Sequence, residues 1–409
     1  MFKQTRCILT RLMALTGATF LPLMGSAQIA PSSPPTLCLG ASCITLNTSV
    51  TGAIKFHPGT YLWYMPGAVN GVSGYRIDQP AQRTQLVNFM DTVCSDASIK
   101  GFQVAVYWRA LEGDTAGDYS PGFSALDAIL AKAAQCSKRI SLYIGTAHFG
   151  NIASLYDVYP AYLVNDGGLG ITPFHSPQVG GSSRIWQQAT RDRLLALCAA
   201  YAARYNSNPY LEMIGGGETS LAIDVGTAGY NGAALTTQLQ RFLTTARTQW
   251  PNTGIRLEAN DIEGGDGNFV SLYATAAKNA VTIGGPDIWP GDITQADRVF
   301  VGKGSNGSSV YKDYRGTIPW MAEAQWQSFS GQWTLKQLYD ASMTGYKPTN
   351  GDFTMPSMHP SYFVWYVNEV NGNSSTQWSS GILPFIHSVN GAVYSSNCPS
   401  SYAKGCISN

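Results

Sequence analysis

The chain has 409 residues with a formal net charge of +1, and 12% of them are charged, against about 25% in an ordinary soluble protein. That balance supplies neither a basic face for nucleic acid nor a polybasic patch for an anionic membrane. Aromatic residues make up 11%, including 10 Trp and 22 Tyr, which suits either core packing or stacking against the flat apolar faces of sugars.

The first segment reads as a secretory signal peptide over residues 1–27. Lys3, Arg6 and Arg11 give a basic opening, Leu12 to Met24 an apolar stretch, and Gly25-Ser26-Ala27 a small-residue cleavage site. The apolar stretch is shorter than the ~20 residues that cross a membrane. Cys7 precedes it, which argues against lipoprotein attachment. The protein is therefore expected to be secreted or periplasmic, without a membrane anchor. Residues 28–54 are rich in Pro, Ser and Thr and form an irregular lead-in.

From residue 55 to about 390, short apolar runs alternate with amphipathic helical stretches. The candidate strands are Gly59–Trp63, Gly101–Trp108, Arg139–Gly145, Tyr210–Gly216, Ile255–Ala259, Ala280–Gly285, Ile318–Ala322 and Ser361–Tyr366. Helical periodicity is clear over Gln85–Val93, Phe123–Gln135, Ile185–Tyr205 and Leu235–Gln249. Strict alternation predicts a parallel sheet covered by helices. Eight such units predict an α/β chain folded as a closed (β/α)8 TIM barrel, with short irregular extensions at both ends. A doubly wound open sheet is the runner-up, but no Gly-x-Gly-x-x-Gly turn follows the first strand. The long segment 151–183, rich in Gly, Pro and Tyr, is expected to shape the catalytic face.

Residues 391–409 form a tail in which Cys398 and Cys406 are close enough for a local disulfide, as are Cys38 and Cys43 in the lead-in. Cys94 and Cys136 end predicted helices and can pair, which leaves Cys198 unpaired in an apolar helix. No Cys-x-x-Cys or His/Cys cluster predicts a metal site. No Gly-x-Ser-x-Gly elbow or phosphate-cradling loop is present, and no cofactor is expected.

Barrel chemistry sits at the C-terminal strand ends. The polar residues there are Arg109 and Glu112, His148, Glu218, Asn260 with Asp261 and Glu263, Asp287 with Trp289, and Glu323. Glu218 follows three glycines, which permit close approach of a ligand. Glu323 lies in the run Trp320-Met-Ala-Glu-Ala-Gln-Trp, where a charge is costly without a task. Strands four and seven face each other across a barrel mouth, and two facing carboxylates suit glycosidic cleavage. The plain alternative for each is an ion pair with a nearby base. Asp261 and Glu263 are rival acids. Glu212 and Glu258 read as structural pairs. Arg109 is expected either to hold the attacking carboxylate ionised or to pair with Glu112. Trp63, Trp108, Trp289, Trp326 and Trp365 are candidate sugar platforms or core residues.

This pattern resembles the clan of retaining (β/α)8-barrel glycoside hydrolases with an acid/base Glu on strand four and a nucleophile Glu on strand seven. The stretch Val106-Tyr-Trp-Arg-Ala-Leu-Glu-Gly-Asp, followed by Tyr119-Ser-Pro-Gly-Phe, is similar to that clan's strand-two signature. The resemblance implies Glu218 as acid/base, with a raised pKa, and Glu323 as nucleophile, about 5–5.5 Å apart for retention. It also implies His148, Arg109 and Trp365 beside the cleaved bond. Two positions depart from the clan. Gly217 stands where many members carry the Asn that binds the sugar 2-hydroxyl, so another group must do this. Asp287 and Trp289 stand where a Tyr or His often touches the nucleophile. The implied substrate is a carbohydrate and the protein a monomer. A non-catalytic carbohydrate-binding barrel and a transglycosylase are the other readings.

Overall fold

The computed structural model describes residues 36–39, 42–45, 50–69, 73–150, 154–167, 169–175, 179–285, 288, 290, 313–325, 327–329, 333–346, 357–367 and 377–408. The leader 1–27, Asp287, Trp289 and Trp326 lie outside them, as do the side chains of Cys38 and Cys43.

Eight parallel strands close into a barrel. They are β1 Gly59–Trp63, β2 Ile99–Tyr107, β3 Arg139–Gly145, β4 Leu211–Glu218, β5 Gly254–Glu258, β6 Val281–Gly285, β7 Trp320–Ala324 and β8 Tyr362–Tyr366. Each strand pairs with its neighbours in sequence, and β8 closes the ring against β1. The fold is the (β/α)8 TIM barrel. The eighth unit ends in the short helix Leu383–Ser388.

Six of the eight strands differ from the expected bounds at one or both ends, by one or two residues, and two of these shifts have a local reason. The seventh strand starts at Trp320 rather than Ile318, because Pro319 has no N–H to give to the ladder. The fourth runs on to Glu218 through a register shift after Gly215, and Gly217 carries it at φ +86°. A Cβ there would also come within 2.7 Å of the Thr146 hydroxyl, so glycine is required twice over.

The period of two along each strand sorts the side chains. Tyr61, Met213, Met321, Tyr362 and Val364 fill the floor of the barrel. Trp365 and Phe363 face outward and pack on the helix layer through Phe385 and Tyr339. Helix starts follow ordinary capping chemistry. The Asn231 side chain accepts from Ala234 N at Gly232–Gln249, and Thr334 forms a capping box with Gln337 at Leu335–Thr344.

The extensions, expected to be irregular, contain pairing of their own. Ile54–Lys55 pairs in parallel with Cys406–Ile407, and Cys398 is bonded to Cys406. Together with Phe56 and Tyr402 they cover the floor. Glu212 fastens this plug: its carboxylate accepts from His57 N at 2.8 Å and Tyr362 Oη at 2.8 Å, and meets His57 Nδ1 at 2.6 Å. A second disulfide joins Cys94 to Cys136, and Cys198 is unpaired and buried.

Part of the segment after β3 forms a small antiparallel sheet. Gly180–Ser183 lies between Ala147–Phe149 and Ile171–Pro173, which places this flap over the barrel mouth. No helix among the described residues is long and apolar enough to cross a membrane.

Candidate active site

A cavity of about 550 Å³ opens at the C-terminal ends of the strands. Its walls combine carboxylates and amides (Glu218, Glu258, Asn260, Gln325) with aromatic rings (Trp63, Tyr107, Tyr143, Tyr366) and the flap residues His148 and Phe149.

Glu218 reaches the wall because the Gly217 backbone turns it inward. Asn260 Nδ2 donates to its Oε1 at 2.5 Å. The strand ends are stitched together by Thr219 N donating to Glu258 O at 3.0 Å and Asn260 N to Thr219 Oγ1 at 2.8 Å. An amide therefore stands next to Glu218 although position 217 is glycine.

Glu323 lies beneath the wall with no exposure to solvent. Arg256, also fully buried, forms a direct ion pair with it through Nη2. Gln103 Nε2 at 3.3 Å and Gln325 Nε2 at 3.1 Å donate to its other oxygen. Arg256 in turn donates to Gln103 Oε1 at 2.5 Å and Glu258 Oε2 at 3.2 Å, and its guanidinium carbon lies 5.0 Å from the Tyr143 ring centroid. The Glu323 carboxyl is raised to about 8: burial is the largest cause, Arg256 opposes it and Glu258 adds to it. Gly284 on β6 leaves room for this cluster, since a Cβ there would sit 3.0 Å from Glu323 Oε1 and 3.2 Å from Arg256 Nε.

His148 is 3% exposed, and its Nδ1 has no hydrogen-bond partner among the described residues. Burial lowers its pKa, so the ring is neutral at neutral pH. Trp63 and Tyr366 meet edge to face at 5.4 Å and form one aromatic corner of the cavity.

Other residues singled out from the sequence lie elsewhere. Arg109 neither holds Glu323 nor pairs with the Glu112 carboxylate; its Nη2 bonds Asp114 at 2.8 Å. Position explains this, because Arg109 follows the end of β2 in a 3-10 turn, whereas Arg256 projects from within β5. Trp108 is fully buried and donates to Glu112 Oε2 at 2.7 Å. Glu112 also accepts from Gly117 N, Tyr162 Oη and Arg193 Nη2, so the strand-two signature forms a structural clamp. Trp365 is core, one residue out of phase with Tyr366, which lines the cavity. The rival acid Glu263 accepts from Gly232 N at 2.7 Å, at the start of a helix, and Asp261 is exposed. Glu258 does pair with a base, as expected, yet it also forms part of the wall. Asp91, Cys94 and Cys136 have metal-ligand spacing, but the two thiols are joined as a disulfide.

Sequence reasoning passed over Arg256, Gln103, Tyr143 and Gln325. The signal available was parity. Arg256 lies two residues before Glu258 and Gln325 two after Glu323, and i, i+2 residues of a strand share a face.

No protein-family model and no curated protein matches the sequence. The structure is similar to the catalytic domain of β-amylase from Paenibacillus polymyxa, with a TM-score of 0.50 and 8% identity over 81% of this chain and 98% of that one. Endo-glycoceramidase II from Rhodococcus sp., in a cellobiose-like isofagomine complex, has a TM-score of 0.47 and 10% identity, over 83% of this chain and 81% of that one. A further structure, titled a glycoside hydrolase, has a TM-score of 0.46 and 11% identity, covering 83% of this chain and 100% of that one. At such identity the likeness to the β-amylase domain is one of fold.

Proposed function

We propose that the chain is a secreted glycoside hydrolase that cleaves an oligo- or polysaccharide with retention of configuration, using Glu218 as acid/base and Glu323 as nucleophile. What supports this reading is Glu218 on the wall of an aromatic-lined cavity and, at the C-terminal end of β7, the buried, Arg256-paired Glu323, which is linked to that wall through Gln325. Barrel enzymes place their chemistry at this end, and sugar recognition needs aromatic faces beside a few placed polar groups. The two disulfides, Cys94–Cys136 and Cys398–Cys406, fit an oxidising compartment.

In this mechanism Glu218 protonates the leaving oxygen while Glu323 attacks the anomeric carbon, giving a covalent glycosyl-enzyme. Glu218 then takes a proton from water, which releases the sugar. Glu323 must exchange its Gln325 hydrogen bond for the substrate. Arg256 and Gln103 hold its carboxylate in place, and the Asn260 amide beside Glu218 is positioned to bind a sugar hydroxyl. His148, Trp63 and Tyr366 line the same subsite. The reaction needs no cofactor, and the enzyme acts as a monomer.

The test is reducing-end release from a panel of plant, fungal and bacterial glycans by the mature protein and by Glu323→Ala, with the product anomer followed by proton NMR. Release by the wild type alone, with retained configuration, upholds the proposal. Binding without release on every glycan would replace it with a carbohydrate-binding barrel. Transfer to an added acceptor in place of hydrolysis would make it a transglycosylase.

A further inference from the structure

Glu258 is the carboxylate that joins the cavity to the buried cluster. It ends β5 at 5% exposure and is paired in register with Glu218 on β4. Glu323, by contrast, forms no part of the wall. The two carboxylates Glu258 and Glu323 share the same two donors. Arg256 Nη2 donates to Glu258 Oε2 at 3.2 Å and is the ion-pair partner of Glu323. Gln325 Nε2 lies 3.4 Å from Glu258 Oε1 and 3.1 Å from Glu323 Oε2.

One guanidinium thus serves two carboxylates, Glu323 fully buried and Glu258 nearly so on the cavity wall. With both ionised, one negative charge is left over, and like charges at this range disfavour each other. The surrounding elements add little to offset it. β3 brings Tyr143, the β4 end brings Glu218, β2 brings the neutral Gln103, and β6 brings Gly284. Arg256 is the cation in contact with the pair among the described residues.

We infer that Glu258 is a positioning residue for Glu323: through the shared Arg256 and Gln325 it fixes the carboxylate's orientation, and its charge on the cavity wall governs when Glu323 holds a proton. A catalytic consequence rests on the reading of Glu323 as nucleophile. A sugar hydroxyl donating to Glu258 would weaken that charge, lower the proton affinity of Glu323 and help ionise it when the cavity is filled. The burial-driven rise at Glu323, to which Glu258 contributes, agrees with this arrangement.

The experiment is a carbon-13 NMR titration of the full mature protein labelled at glutamate side-chain carboxyls, with Glu323→Gln and Glu258→Gln assigning the two signals. It reads protonation without turnover, so its outcome is separate from that of the proposed function. In the wild type the Glu323 signal is expected to show two steps, because its proton is coupled to a neighbouring group. In Glu258→Gln the Glu323 midpoint is expected to fall by about one unit, a tenfold loss of proton affinity. Glu258→Asp, which keeps the charge, is expected to leave it near the wild-type value. A single-step Glu323 curve in the wild type, or an unmoved midpoint in Glu258→Gln, would overturn the inference. If the Gln variant does not fold, the wild-type curves decide. On a cleaved substrate, the acidic limb of kcat/KM should move to lower pH in Glu258→Gln. Loss of all turnover with an unmoved Glu323 midpoint would instead make Glu258 the attacking group.

Discussion

Arg256 and Glu323 are joined across the barrel from β5 to β7, and neither side chain reaches solvent. The pair sits directly under the cavity that Glu218 and Glu258 line. Ions removed from water are stable only when charge and hydrogen bonds are matched, and here Gln103 and Gln325 add hydrogen bonds to Glu323 while Arg256 Nε has no partner among the described residues.

At a pH above about 8, where Glu323 is ionised, removing one partner leaves a buried charge without compensation. Arg256→Met is expected to destabilise the fold by about 3–5 kcal/mol, read from urea unfolding. The double variant Arg256→Met/Glu323→Met should recover most of that loss. An equal loss in single and double variants would mean that the pair is not a coupled unit.

The pH dependence of stability follows from the raised Glu323 carboxyl, up to about 8 against an ordinary 4.5. The native state binds this proton more tightly than the unfolded chain does. Its stabilisation is therefore complete below about pH 4.5 and is lost as pH rises through about 8. Relative to Glu323→Gln, the wild type should lose stability across this window. Urea midpoints at several pH values check the sign, and a wild type that gains stability there would contradict it. Turnover should rise over the same interval, because only the ionised carboxylate attacks.

Glu218→Gln removes the proton donor and leaves Glu323 in place. Turnover of a substrate with a poor leaving group is expected to fall by about 10²–10⁴. A substrate whose leaving group needs no proton should suffer far less in the first step. Equal losses on both substrates would argue against the acid/base role.

The aromatic residues separate into two groups with different effects. Trp63→Ala should raise KM about tenfold, through the lost stacking surface, with little change in thermal stability. Trp365→Ala should leave KM unchanged and cost about 3–5 kcal/mol of stability, because it empties a packed site between strand and helix. Steady-state kinetics beside thermal melts distinguish the two.

Opening the Cys94–Cys136 bond, by replacing both residues with serine, should cost about 2–4 kcal/mol, since the bond closes a loop between residues 42 apart. Cys198 should stay unreactive toward thiol reagents until the protein unfolds. It is fully buried and its thiol is pushed up to about 12.

The sequence alone determined the barrel, because alternation of apolar runs and amphipathic helices is a local property of the chain. The eight strands fall where their β-branched and aromatic runs fall, with ends shifted at Pro319 and Gly217 for reasons of backbone chemistry. It also singled out Glu218 and Glu323, since a carboxylate after a glycine run or within an aromatic one stands out without a fold. What it left open is which side of each strand faces inward, and that depends on register across the whole ring. A one-residue difference places Tyr366 in the cavity and Trp365 in the helix layer. The same parity puts Arg256, rather than Arg109, against Glu323. Tertiary structure decided these because the partners of a barrel interior come from strands scattered along the chain. Gln103, Arg256 and Glu323 meet only when β2, β5 and β7 are closed around one axis.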